Sequence, residues 1–178
     1  MDITPIRLHI GGTTPHPDWK ILDIEARPEV DFVGDAADLS QFADESISVI
    51  YASHVLEHFH YNLNDELLNT LVEWRRVLIP SGKLLISVPD LKTLCWLYLH
   101  PNLVPDERHY VMRMIFGGQV NEYDVHYVGL DFETLGMYLQ EAGFENYYRV
   151  TEFGLFEDDC SSLQFCDTFI SLNVVAIK

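Results

Sequence analysis

The chain has 178 residues, 48% of them hydrophobic, and its 28 acidic residues against 11 lysines and arginines give a formal net charge of −17. A chain of this length buries roughly 70% of its unfolded surface, enough for one core, so a single domain over residues 1–178 is predicted. This charge would repel phosphates and anionic lipid headgroups, so we expect an acidic protein without nucleic acid or membrane partners. No run reaches the roughly 20 apolar residues of a membrane helix, and no signal-peptide pattern opens the chain, so a cytoplasmic location is expected.

The first half of the chain alternates short apolar runs with polar turns. Runs rich in isoleucine, valine and leucine predict four buried strands, at Arg7–Ile10, Lys20–Ile24, Asp31–Gly34 and Ile47–Ala52. Leucines at helical spacing then predict a helix over Asp65–Leu78, with Asn64 as its cap. This order favours a parallel sheet with helical crossovers.

The second half continues the alternation. Three more strands are predicted at Lys83–Val88, Phe144–Phe153 and Phe169–Ile177. Three more helices are predicted at Leu91–Leu99, Asp106–Phe116 and Phe132–Ala142, with residues 117–127 as a polar loop. The sequence therefore predicts an α/β fold, with a Rossmann-like, mostly parallel seven-stranded sheet that has helices on both faces.

The connection between the first two strands is unusually short. About nine residues separate these strands, whereas parallel neighbours are usually joined by a dozen or more. Pro15 and Pro17 exclude a helix in this connection. A shortened first crossover is therefore predicted.

Four segments in this order resemble the class I S-adenosylmethionine-dependent methyltransferases, and in particular the small type 11 group. They are Leu8–Gly12, Asp31–Leu39, Ser53–Phe59 and Trp74–Leu84. The resemblance extends over nearly the whole chain and implies a last strand that is antiparallel to the others. It also implies S-adenosylmethionine as the cofactor and methyl transfer to an acceptor as the activity.

Candidate cofactor residues follow the first two strands. Gly11 and Gly12 lack a Cβ, so backbone there could approach a bulky cofactor closely. Asp23, near the end of the second strand, could accept hydrogen bonds from ribose hydroxyls, with Glu25 as the fallback. Because ligands bind at the carboxyl ends of parallel strands, these residues are expected to share one cleft.

The resemblance adds residues after the third and fourth strands. Asp35 matches the position that contacts the adenine amino group in the family, with the backbone of Ala36 beside it. Ser53 and His54 follow the fourth strand, where the family brings the methyl donor towards its acceptor. Ser53 is therefore assigned to the cofactor and His54 to the reaction.

Catalytic candidates are histidines and a tyrosine. A general base is needed only if the acceptor must lose a proton, and His54 or His126 could supply one near neutral pH. Tyr127 could orient the acceptor, and residues 91–130 are predicted to form a lid over it. The expected acceptor is a small polar molecule such as a sugar, no metal is assigned, and a homodimer is expected.

Two other functions stay open. The short glycine loop suggests a binding module that has the methyltransferase fold without catalysis. The segment His54-Val55-Leu56-Glu57-His58 also matches the motif of inverted zinc peptidases, which place both histidines on one helix facing a metal. A zinc hydrolase is therefore the third hypothesis.

Overall fold

The computed structural model describes residues 5–156 and 159–178, which form an α/β fold around one seven-stranded sheet. The strands are β1 (Ile6–Ile10), β2 (Lys20–Asp23), β3 (Phe32–Val33), β4 (Ile47–Ser53), β5 (Leu78–Pro89), β6 (Asn146–Val150), β7 (Gln164–Phe165), β8 (Thr168–Phe169) and β9 (Ser171–Ile177). The helices are α1 (Glu66–Val77), α2 (Leu91–Tyr98), α3 (Pro105–Phe116) and α4 (Phe132–Glu141). Two 3-10 turns, η1 (Leu56–His58) and η2 (Cys160–Ser162), complete the described elements.

The strand order confirms the predicted fold class. The sheet runs β3-β2-β1-β4-β5-β9-β6, and the neighbours from β3 to β5 are parallel. The last strand, β9, is antiparallel to both of its neighbours, β5 and β6, as the resemblance implies. β1 and β2 are joined by nine residues without a helix, so the shortened first crossover is also confirmed. The carboxyl ends of β1 to β5 consequently lie along one edge of the sheet.

One face of the sheet carries the main hydrophobic core. Alternate strand residues point to this face, and α1 and α4 pack against it and each other. The fully or almost fully buried strand residues on this face include Leu8, Ile10, Leu22, Ile50, Ala52, Leu84, Ile86, Val88, Leu172, Val174 and Ala176. Trp74 of α1 is wholly buried in the same core.

The opposite face is polar and aromatic, and the irregular segment after β6 covers it. The His9 ring stacks on Phe156 at 4.2 Å between centroids, and the Tyr51 hydroxyl donates to Asp159. The Asn173 amide donates to the backbone oxygens of Thr151 and Ser161. Helices α1 and α4 therefore cover the core face, as predicted, whereas His9, Tyr51 and Asn173 on the opposite face pack against a loop. The reason is that the β1–β2, β2–β3 and β3–β4 connections contain no helix.

Two local features differ from the prediction. Asn64 does not cap α1: Asn64 and Asp65 both have a left-handed backbone, and no side-chain cap bond is made where the helix begins. A hairpin of β7 and β8 was not predicted, because Cys166 and Asp167 form its left-handed turn instead of the usual Asn-Gly pair.

A smaller apolar cluster joins α2 and α3 to the sheet. It consists of Leu94, Leu97, Leu103, Val111 and Ile170. No helix in the described part of the chain has the length and apolar character needed to cross a lipid bilayer.

The burial of His9 makes stability depend on pH. Burial among aromatic rings lowers the pKa of His9 to about 4, against the opposing charge of Asp159. Because the charged form is disfavoured in the fold, the neutral ring's contribution is complete above about pH 6.5 and is lost as the pH falls towards 4. At about pH 4.5 the loss is expected to approach 2.5 kcal/mol.

The His9→Phe variant tests this expectation, because phenylalanine keeps a ring and cannot titrate. Urea unfolding at about pH 7.5 and about pH 4.5 measures the loss in each protein, and the loss in the variant should be smaller by about 2 kcal/mol or more. All other titrating groups are shared by the two proteins. Equal pH dependence of the two would contradict the burial argument.

Candidate functional site

A cavity of about 450 Å³ lies at the carboxyl edge of the sheet. Its walls come from the residues that follow β1, β2, β3 and β4, together with part of the loop before α4. This volume lies within the range of about 300 to 1,000 Å³ that is typical of small-molecule sites. The cavity is therefore where the topology of an open parallel sheet would place a ligand.

Four of the predicted cofactor residues line this cavity: Gly11, Asp23, Asp35 and Ala36. Gly11 has a φ of +73°, and a Cβ there would lie 3.0 Å from Val55 Cγ2. The positive φ favours glycine at this position, and the close approach of Val55 leaves little room for a side chain. The predicted meeting of Gly11, Asp23 and Asp35 around one hollow is thus observed.

Gly12 and Ser53, also predicted to bind the cofactor, do not line the cavity. Gly12 packs on the ring of His9, and a Cβ there would lie 2.5 Å from His9 Nδ1. Ser53 pairs with Ser87 in the sheet, and its position two residues after Tyr51 puts its side chain on the polar face. Neither Gly12 nor Ser53 therefore faces the cavity.

Arg27 ties together the ends of β1 and β2, and sequence reasoning missed it. Its Nη2 donates to the Gly12 carbonyl oxygen at 3.0 Å and to Asp23 Oδ2 at 2.9 Å. Its Nε donates to Glu29 Oε1 at 2.8 Å. Arg27 is the only lysine or arginine between Lys20 and Arg75, and this isolation was the available signal. The Asp23 carboxylate retains acceptor capacity, since its four lone-pair sites exceed these contacts.

The turn after β3 is fixed by a local hydrogen bond and by a contact from α1. Asp35 Oδ1 accepts from the Ala37 amide at 2.9 Å, which fixes the turn after β3. The Trp74 indole donates to the Ala36 carbonyl oxygen at 2.8 Å. The core tryptophan therefore positions a residue of the cavity wall.

His54 lies at the end of β4 and lines the cavity, with a left-handed backbone at φ +54°. The Ser171 hydroxyl donates its hydrogen to the Cys160 carbonyl oxygen, so Ser171 Oγ accepts a hydrogen bond from His54 Nε2 at 3.2 Å. The Nδ1 atom lies 3.4 Å from Glu57 Oε1. Burial, together with the neighbouring His126 and His58, lowers the pKa of His54 to about 4, so the ring is neutral near pH 7. A left-handed conformation at a non-glycine residue is strained, and such strain is common at functional sites.

The other two predicted catalytic residues are placed differently. Tyr127 lines the cavity and stacks on His60 at 3.9 Å between ring centroids. His126 does not line it: its Nδ1 bonds the Met114 carbonyl oxygen, and its Nε2 lies 4.0 Å from Glu57 Oε1. The polar loop before α4 nevertheless reaches the cavity through Asn121 and Tyr123.

The zinc-peptidase hypothesis fails on its ligand set. His54 directly follows β4, and Glu57 and His58 belong to the short 3-10 turn η1, so the motif does not lie on an α-helix. Among the described residues, the potential metal-ligand group consists of Glu57, His58 and His126, without His54. The two histidines of the motif are therefore not a metal-binding pair here.

A known protein family matches part of this sequence. The profile of a family described as "Methyltransferase domain" matches residues 18–86. A search of curated protein sequences found no match.

Several solved structures, two of them of methyltransferases, are similar over almost the whole chain. One is a SAM-dependent methyltransferase from Archaeoglobus fulgidus, with a TM-score of 0.59 and 16% identity over 99% of this chain and 87% of that one. Another is the 1,6-didemethyltoxoflavin-N1-methyltransferase of Burkholderia thailandensis with bound S-adenosylhomocysteine, with a TM-score of 0.56 and 16% identity over 98% and 71%. The YcgJ protein of Bacillus subtilis has a TM-score of 0.56 and 14% identity over 99% and 92%.

These findings confirm the resemblance to the class I S-adenosylmethionine-dependent methyltransferases. The profile supports the resemblance for residues 18–86, and the structural similarity supports the shared fold for the rest of the chain.

Proposed function

We propose, from the premise that this chain has the class I methyltransferase fold, that it transfers a methyl group from S-adenosylmethionine to a small polar acceptor such as a sugar. The observation that carries the proposal is the single cavity in which Gly11, Asp23 and Asp35 meet at the ends of successive strands. S-adenosylmethionine, when bound, supplies an electrophilic methyl group on its sulfonium. The work of the protein is then chiefly to hold donor and acceptor in line.

The cavity residues fit an adenosyl cofactor. Asp23 would accept from the ribose hydroxyls, while Asp35 and the backbone of Ala36 would contact the adenine. Gly11 leaves open a space that a side chain would close, and Ile10, Leu22 and Ile24 add apolar wall. No helix follows Gly11, so Arg27 is the group that would fix the loop beside the cofactor.

The acceptor side of the proposal rests on His54 and Tyr127. Both line the cavity, and His54 is neutral near pH 7, as a proton acceptor must be. Residues 91–130 would act as the lid, an interpretation supported by the contribution of Asn121, Tyr123 and Tyr127 to the cavity wall. The homodimer remains a prediction, for which exposed Trp96, Tyr98 and Tyr148 offer apolar surface.

Calorimetric titration with S-adenosylmethionine and S-adenosylhomocysteine tests the proposal directly. Micromolar affinity for both would support the enzyme. The absence of heat at millimolar concentrations of either would favour the alternative hypothesis, a binding module with a methyltransferase fold and no cofactor. Release of S-adenosylhomocysteine with a panel of sugar-like acceptors would then identify the substrate class.

The ribose contact predicts an effect of Asp23→Asn on affinity. Hydrogen bonds to a charged group contribute about 1.5 to 3 kcal/mol, so S-adenosylhomocysteine should bind about 10 to 150 times more weakly to this variant. Glu25→Gln is the matched control, because Glu25 also lines the cavity and also pairs with Arg27. Normal binding by Asp23→Asn with weak binding by Glu25→Gln would show that Glu25 is the ribose ligand.

A further inference from the structure

Glu57 is a buried carboxylate without a hydrogen-bond partner. Its side chain is 2% exposed, and neither carboxylate oxygen makes a hydrogen bond, although His54 Nδ1 lies 3.4 Å from Oε1. A buried ionised carboxylate is strongly unfavourable unless it is paired or binds a metal. The fold thus holds a carboxylate in a place where its own residues do not satisfy it.

Two histidines present nitrogen atoms to this carboxylate. His58 Nδ1 bonds the Val125 carbonyl oxygen at 3.0 Å, and His126 Nδ1 bonds the Met114 carbonyl oxygen at 3.1 Å. Because a carbonyl oxygen only accepts, each ring has its N–H at Nδ1 and a lone pair at Nε2 when neutral. Metal-binding histidines are typically oriented by such a bond from the other ring nitrogen to a backbone carbonyl.

The three side chains converge on one point. One donor atom from each of Glu57, His58 and His126 lies within 4.8 Å of the other two. Zinc–nitrogen and zinc–oxygen bonds of about 2.0 to 2.2 Å place tetrahedral ligands about 3.3 Å apart, so small side-chain rotations would close the set. The rings of His58 and His126 meet edge to face at 4.9 Å, so the two imidazoles are direct neighbours.

We propose that Glu57, His58 and His126 bind a divalent transition-metal ion beside the cavity. Two imidazoles and one carboxylate are the ligands of catalytic zinc sites and of non-haem iron(II) sites with open positions. Magnesium and calcium prefer oxygen ligands alone, so they fit this set less well. His58 also lines the cavity, so an open coordination position would lie next to it. The site does not depend on the proposed methyl transfer.

Titration of chelator-treated protein with ZnCl₂ and CoCl₂ tests the site. One equivalent of either metal should bind to the wild-type protein, raise its melting temperature and, for cobalt, give visible absorption without the intense thiolate bands that binding at Cys95 or Cys166 would produce. Glu57→Gln and His126→Gln should each weaken metal binding by about 100-fold or more. The control His60→Gln removes a nearby histidine that pairs with Glu66 instead, and it should bind metal as the wild type does.

The variants remain informative if folding changes. Glu57→Gln keeps the side-chain volume and removes a buried titrating group, so the metal-free variant is expected to be at least as stable as the metal-free wild type. The metal-induced rise in melting temperature should be absent from it. Failure of the wild type to bind either metal at millimolar concentration, or wild-type affinity in both Glu57→Gln and His126→Gln, would overturn the proposal.

Discussion

Replacement of Trp74 by alanine is expected to lower the free energy of unfolding by about 3 to 5 kcal/mol. The side chain is wholly buried in the main core, and its removal would leave a cavity that the surrounding strands cannot close completely. The indole bond to the Ala36 carbonyl oxygen would be lost as well. Denaturant unfolding followed by circular dichroism measures the change.

Trp74→Phe separates packing from positioning. It retains most of the apolar volume and loses the bond to Ala36, so we expect a smaller loss of stability together with weaker binding of S-adenosylhomocysteine. Trp19→Phe is the matched control, because Trp19 is also buried but lies outside the cavity. If both variants bind the cofactor product equally well, Trp74 does not position Ala36 for binding.

The His54→Asn variant is expected to lower turnover by about 10² to 10⁴-fold while S-adenosylhomocysteine binds as it does to the wild type. The basis is that His54 is the neutral imidazole at the cavity wall that would take a proton from the acceptor. Asparagine is chosen because it tolerates the left-handed backbone of this position better than alanine does. The rate of S-adenosylhomocysteine release, with the acceptor found by screening, is the measurement.

One further variant is a control for this result, and another tests the role of Tyr127. His109→Asn makes the same chemical change at an exposed position of α3 and should leave turnover unchanged. Tyr127→Phe removes only a hydroxyl, so a rise in KM with a modest change in kcat would agree with an orienting role for Tyr127. Unchanged turnover in His54→Asn would remove His54 from the role of base.

Much of the fold could be predicted from the sequence because its strands are buried and their apolar runs are continuous. The β4 run and the leucines of α1 specify their elements through local composition alone. The β7–β8 hairpin could not be predicted in this way, because its turn pair, Cys166-Asp167, is not one of the dipeptides, such as Asn-Gly or Asp-Gly, that mark a two-residue hairpin turn. The absence of a capping bond at Asp65 likewise depends on how the preceding loop packs.

The candidate site was only partly predictable. Strand ends fix Gly11, Asp23 and Asp35 at one edge, so topology alone could bring them together. Gly12 and Ser53 belong to the same segments, yet one turn or one step of strand alternation directs them away from the cavity. The approach of His126 to Glu57 joins positions 69 residues apart, which no local pattern encodes.

Arg27 connects the ends of two strands that a helix would otherwise join, and it does so through ion pairs and one backbone contact. Its side chain is about a quarter exposed, so dissolved ions can reach it. The stability of the loop at this end of the cavity would therefore decrease with ionic strength. A helix packed on the sheet would instead be held by apolar contacts, which salt does not weaken.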